Sequence, residues 1–388
     1  MSLHATAWVV GLAVFRVGLV PPQECAPVAR DDLDVAIERT AEWAVTNLKR
    51  DGAFLYRYDR TTGSDLGGYN IVRHAGMTNA LYQLTADGDL RWLEGADASL
   101  EYLLDRLVDT GDGVAIASPR QRPKLGTASL AAAALVHRRD ATGDTRHDAL
   151  AVDLGRFLLG QIEDNGAAAN FWDPDTRAPV PGEYGLFATG EAAWALALLH
   201  RIAPDEGFAG GALRIVDYVV EDRRDHEDLL LRAPDHWIAY ALEELGPETV
   251  AESAARVEYA ERLAGDFAIM SRVEPTRRLE GLQATLRFDQ ALGAGVGAMG
   301  EGLVSLQLLA AAGTGDEALA GRGDELAERV ECVVHTLVER QVGPDDVVSE
   351  SRPEIGAWFK DDVTQVDDQQ HTLSTLVIGR QILFGGDR

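Results

Sequence analysis

Lysine is nearly absent from this sequence: Lys49, Lys124 and Lys360 are the whole set in 388 residues. Lys+Arg total 36 against Asp+Glu 63, giving a net charge of −27. A surface this acidic repels nucleic acid phosphates and anionic membranes, so neither is expected as a partner. Acid excess with so little lysine is a halophile-like composition. Cysteine is scarce too, with only Cys25 and Cys332. No C-x-x-C or similar spacing exists, so a thiolate zinc site is excluded and no metal or cofactor is expected. Two free thiols are expected in preference to one disulfide. Cys332 lies inside the amphipathic segment Glu325 to Val338, a poor place for a nucleophile.

Long apolar runs are missing as well. A membrane-spanning helix needs about 18 to 20 apolar residues, and no internal stretch reads that way. Ala7 to Val20 comes nearest, but Arg16 interrupts it and no Lys or Arg precedes it. A secretory leader wants a basic start and a clean apolar centre. Residues 1–30 are therefore read as an N-terminal segment, a weak signal, anchor or extended arm. A cytoplasmic location is favoured over secretion. Strand signals are rare throughout.

What is present is helical periodicity. Leu93, Ala96, Leu100, Leu103, Leu104 and Leu107 repeat at i, i+3, i+4 and i+7. Leu326, Val330, Val333 and Leu337 do the same. Each set predicts an amphipathic helix with one apolar stripe. Between them lie segments apolar nearly all round and rich in alanine: SLAAAALV from Ser129, EAAWALALL from Glu191 and LVSLQLLAAA from Leu303. A helix of that kind is buried on every side. The two kinds alternate, and the buried kind recurs six times. Its starts lie near Arg73, Gly126, Thr189, Pro234, Met299 and Asp367. Self-similarity at this period means a repeat architecture.

An open solenoid is one arrangement of such pairs. The count of six and the asymmetry of the loops favour a closed ring. Loops entering buried helices are long (Arg50 to Val72, Asp109 to Leu125, Glu163 to Ala188). Long loops on one face of a repeat array build its binding surface. The expected fold is all-α, an (α/α)6 toroid of six helical hairpins in one domain over residues 31–388. Pro275 to Gly293 fits no repeat and is read as an extra segment over the opening.

In such a ring the starts of the buried helices converge on one end of a central cavity, with unpaired N–H groups and partial positive charge. Polar residues gather there. Glu191, Glu301 and Asp235 are the candidate acid and base. Tyr69, Asn70, Arg73, His74, Trp172, Tyr184, His236, Trp237, Asp368 and His371 are the candidate substrate-binding set. Paired carboxylates are what glycoside hydrolysis requires. Each has a plainer reading. A first-turn Glu complements the helix dipole, and Asp235 after Pro234 is a natural N-cap. His74, His236 and His371 recur at similar places in three repeats and suit sugar binding or acid–base work.

On these residues the chain resembles the six-hairpin glycosidase superfamily. The resemblance covers roughly Asp31 to Phe384 and rests on YNIVRHAG (Tyr69 to Gly76), GEAAWAL (Gly190 to Leu196), DHWIAYALEEL (Asp235 to Leu245) and DDQQH (Asp367 to His371). It implies a carbohydrate-active enzyme with Asp or Glu as acid and base: a glycoside hydrolase, or a lyase or epimerase, acting on an oligosaccharide or polysaccharide. A class II terpene cyclase is one alternative. WAVTNLKRDGAFLY (Trp43 to Tyr56) resembles a cyclase repeat, and Asp367 or Asp368 would be the proton donor. An aromatic content of 7% argues against it. A non-catalytic toroid scaffold, its carboxylates only capping helices, is the other.

Overall fold

The computed structural model describes residues 3–18, 25–227, 234–279, 284–285, 288–313, 317–348 and 353–385. Thirteen principal helices occur among them. α1 (Leu3–Gly18) precedes the ring. α2 (Arg30–Thr46), α4 (Leu93–Leu104), α6 (Asp148–Gly160), α8 (Phe208–Asp217), α10 (Ala254–Val273) and α12 (Gly323–Arg340) form an outer layer. α3 (Ile71–Ala86), α5 (Leu125–Thr142), α7 (Ala188–Ile202), α9 (His236–Leu245), α11 (Gly293–Ala311) and α13 (Val366–Phe384) form an inner layer.

Each inner helix packs against the next, and α13 packs back against α3, so the ring is closed. Composition dictates which helix goes inside. Every residue from Leu125 to Val136 in α5 is buried. In α12 only one stripe is buried, with Leu326, Val330, Val333 and Leu337 along it, while Glu328 and Glu339 face solvent. Small residues set the spacing. α11 lies so close to α13 that a Cβ at position 297 would stand 2.5 Å from the His371 carbonyl carbon.

α11 is also long and apolar enough to cross a membrane by composition alone. Its burial within the ring gives the ordinary reason for that composition. α1 differs: Trp8, Val9, Val10, Leu12, Val14 and Phe15 are each more than half exposed.

The long loops lead into the inner helices and carry the few strands. β1 (Arg57–Asp59) pairs antiparallel with β2 (Ser64–Asp65) and with β7 (Val363–Gln365). β3 (Leu107–Asp109) with β4 (Val114–Ile116), and β5 (Trp172–Asp173) with β6 (Ala178–Pro179), make two small hairpins. The β1–β7 pairing ties the first entry loop to the last, across the seam of the ring. The 275–293 segment lies partly outside the described residues.

Cys25 and Cys332 correct the expectation of free thiols: they form a disulfide with a Cα–Cα distance of 5.2 Å. Ring closure brings the segment before α2 alongside α12, where the Val28 N–H donates to Glu331 Oε1 at 3.4 Å. A separation of 307 residues hides that neighbourhood from any local reading.

Candidate active site

The inner helices bring His236, Glu301 and His371 together, each buried. They come from α9, α11 and α13. The Nδ1–H of His371 donates to Glu301 Oε2 at 2.5 Å. His236 Nε2 stands 3.5 Å from the same oxygen. The two imidazole rings meet edge to face at 5.1 Å. Phe187 and Trp237 pack against the His236 ring at 5.2 and 4.7 Å.

The two imidazoles are pushed in opposite directions. Burial disfavours charge on His371, but Glu301 and then Asp367 outweigh it and raise the group to about 9. His371 is therefore an imidazolium at neutral pH. Burial, followed by the charge on His371, drives His236 well below its ordinary value, so His236 is neutral. Burial also raises the Glu301 carboxyl, and the pair competes for one proton. Asp367, 3.8 Å from His371 Nε2, favours keeping it on the imidazole.

Around this pair stands a carboxylate shell. Glu191, in the first turn of α7, is raised to about 8, first by burial and then by the charge of Asp235. It has room because position 126 on α5 is glycine, where any Cβ would overlap Glu191 Oε2. Asp235 is the N-cap of α9, accepting from the Trp237 N–H at 3.1 Å. Its other oxygen accepts from Arg223 Nη1 at 3.0 Å. Burial lifts Asp235 to about 6, against the pull of Arg223. Arg73 reaches Asp367 at 3.1 Å and donates to the Tyr56 hydroxyl at 3.0 Å and Gln365 Oε1 at 2.8 Å. Both partners flank the β1–β7 seam.

The remaining candidates divide. Asn70 caps α3, accepting from the Val72 N–H at 3.0 Å. Asp368 closes a capping box at the start of α13 and accepts from the Ala294 N–H at 2.9 Å, holding α11 to α13. His74 does not join the cluster. Its Nε2–H donates to the Ser99 carbonyl at 2.8 Å, Nδ1 accepts from the Tyr69 hydroxyl at 2.6 Å, and Tyr102 stacks on the ring at 4.5 Å. Burial lowers it to about 3, so it is a neutral packing residue between α3 and α4. Tyr69 is spent on the same contact. Trp237 is buried against Trp194 and Tyr240. Trp172 is buried in β5, and the Tyr184 hydroxyl donates to Glu163 at 3.1 Å in the same entry loop.

Glu301 corrects one boundary. The fifth inner helix begins at Gly293, not near Met299, so Glu301 sits in the third turn rather than the first. It is a deep group, not a dipole partner. Two contributors lie outside the acid–base and substrate-binding sets: Asp367, which the sequence offers only as an alternative proton donor, and Arg223, which it does not offer at all. Asp367 stands four residues before His371, a spacing that puts both on one helix face. Arg223 had no such signal. The chain after α8 makes a π-turn over Tyr218–Asp222, which re-aims Arg223 inward. His236, Glu301 and His371 also place three donor atoms within 4.8 Å, a set of the kind that ligates a divalent ion.

No family model matches this sequence. No curated protein matches it either. Solved structures do. An α-1,6-mannanase variant from Salegentibacter, described as inactive and in complex with α-1,6-mannotriose, superposes with a TM-score of 0.59 at 15% identity, over 91% of this chain and 99% of that one. A cellobiose 2-epimerase from Bacillus thermoamylovorans gives 0.60 at 12% identity, over 91% and 98%. A D-mannose isomerase gives 0.59 at 12% identity, over 90% and 97%. Helix pairs, ring closure and these superpositions agree: the chain has the fold of an (α/α)6 toroid.

Proposed function

We propose that this chain is a carbohydrate-active enzyme that moves a proton on a sugar, as an epimerase or isomerase does. The observation that carries this reading is the imidazole pair: two facing rings of opposite protonation joined by one buried carboxylate. Groups whose environments force their pKa values apart take the roles of acid and base. Neutral His236 removes the proton from the carbon next to the carbonyl of an open-chain sugar. The electron pair moves into an enediolate with its charge on the former carbonyl oxygen. Imidazolium His371 returns a proton to the opposite face of the same carbon, which re-forms the carbonyl and inverts the configuration; in an isomerisation the proton goes to the former carbonyl carbon instead, and the neighbouring hydroxyl proton passes to the former carbonyl oxygen. Arg73, held by Asp367, lies at the polar side of the pair and positions hydroxyls.

Hydrolysis by Glu191 with Glu301 or Asp235 is the second reading, and the raised Glu191 favours it as an acid. Its partner carboxylate is the difficulty. Both Asp235 oxygens are engaged, and Glu301 is committed to His371. The test incubates the protein in D2O with D-mannose, cellobiose and α-1,6-mannotriose, followed by proton NMR. Deuterium at the carbon beside the carbonyl of an altered sugar is expected. Shortened mannotriose with no deuterium in the ring carbons would overturn the proton-transfer reading in favour of hydrolysis.

A further inference from the structure

The ring has a second mouth. The later turns of the inner helices surround a cavity of about 550 Å³ at the end away from the entry loops. That volume falls in the range of small-molecule sites. One wall is aromatic: Trp194 and Tyr240 stack at 4.8 Å, and the His137 ring lies 5.8 Å from Trp194. The polar groups on the wall are unequally used. His137 Nδ1–H donates to Asn79 Oδ1 at 2.8 Å. Burial, then the charge of Arg201, lowers His137 to about 3, so the ring is neutral and its Nε2 is left as an acceptor. The Glu243 carboxylate makes no hydrogen bond or ion pair among the described residues. Burial, then the charge of Glu244, raises it to about 7, as befits a carboxylate short of a positive partner. The donors, by contrast, are spent. Arg201 is held by Asp140 at 3.0 Å and by Glu244 at 3.7 Å. The Gln381 amide donates to Asp87 at 2.9 Å, and Gln83 is taken up by Ser374 and Tyr240. The C-terminal ends of α7 and α9 also lie here and carry partial negative charge.

We propose that this rear cavity is a binding site for a small alkylammonium ion. Free acceptors, spent donors and an aromatic wall call for a ligand that brings N–H groups, positive charge and apolar carbon together. The ammonium donates to Glu243 and to His137 Nε2. Its methylene groups and charge lie along the Trp194–Tyr240 wall, since a cation over an aromatic face is attracted to it. An anion or a sugar would meet acceptors where it needs donors. A hydrated Mg2+ sheds water reluctantly and gains nothing from the aromatic wall. The site takes no part in the proposed reaction and needs no sugar, so it stands or falls apart from the proton-transfer reading.

Titration calorimetry of the full chain with putrescine tests this. A saturable one-to-one isotherm is expected, and Mg2+ at matched ionic strength should not displace the amine. Glu243→Gln should weaken binding at least about tenfold, the scale of losing one charged hydrogen-bond partner. Glu339→Gln, on the exposed face of α12, should leave it unchanged. In wild-type protein labelled with 15N-histidine, putrescine should shift the His137 Nε2 resonance and leave that of His74 in place. This second measurement covers the case in which Glu243→Gln does not fold. No saturable binding, or no shift at His137, overturns the proposal. So does equal weakening by the two substitutions, or displacement by Mg2+, either of which would mean that the acidic surface only gathers counterions.

Discussion

The sharpest prediction concerns Glu301→Gln. Gln keeps the shape and an oxygen that accepts from His371 Nδ1, but removes the charge. In the wild type, raising His371 from an ordinary 6.5 to about 9 amounts to roughly 3 kcal/mol of preference for the charged ring. Without the carboxylate, burial governs, and a buried imidazole prefers to be neutral. His371 should then titrate below 6.5. Histidine 15N shifts followed from pH 5 to 10 read this directly. Stability should change with it, and the sign is fixed by the direction of the shift. A group raised in the folded state stabilises fully below its unfolded value near 6.5, and that contribution disappears as pH climbs through about 9. The wild type should lose up to about 3 kcal/mol across that window, and the variant should not. Turnover should fall by about 10²–10⁴-fold, the usual scale for losing an acid or base. A wild-type His371 that titrates near 6.5, or one indifferent to Glu301→Gln, refutes the reasoning.

Other outcomes follow from neighbouring contacts. Arg223→Met leaves Asp235 buried without its cation and should cost about 3–5 kcal/mol, visible in urea unfolding; a change within the scatter of surface substitutions would show that the ion pair contributes little. His74→Phe should lower the melting temperature yet leave kcat within a few-fold, because the ring packs between α3 and α4 and faces away from the imidazole pair; loss of turnover in a folded variant would return His74 to the site. Cys332→Ser, or added reductant, should remove about 2–4 kcal/mol and lower the melting temperature by several degrees, since the crosslink closes a very long loop. Identical calorimetric scans with and without reductant would argue that the disulfide does not form.

The ring was legible because burial is written into composition. Alanine-rich segments alternating with striped ones leave one way to hide the first kind, and six of them close a circle. The cluster was legible only in part. GAGVGAMG, from Gly293, looks like a loop because glycine disfavours helix in isolation. Here the same glycines allow α11 to lie on α13, and packing outweighs propensity. That shift of about two turns turned Glu301 from a cap into the partner of His371. His74 misled for a related reason. It enters its helix much as His371 does, yet faces outward to α4, and only the ring's geometry separates the two. Arg223 depends on the π-turn before it, and the disulfide on a contact between segments 307 residues apart; no local pattern encodes either.

Ring closure by α13 has a consequence for how the protein is made. The last inner helix contributes His371, and it must slot between α11 and α3, the fifth and first of its kind. During synthesis it leaves the ribosome after every other helix of the circle. Until it docks, His236 and Glu301 have no counterpart, and the nascent ring is an open crescent with an uncovered seam. Under the proposed reaction, competence would therefore arrive in a single final step. A chain stalled or nicked ahead of Val366 keeps five hairpins and lacks the His371 which that reaction uses, so turnover would gauge how many molecules have finished folding.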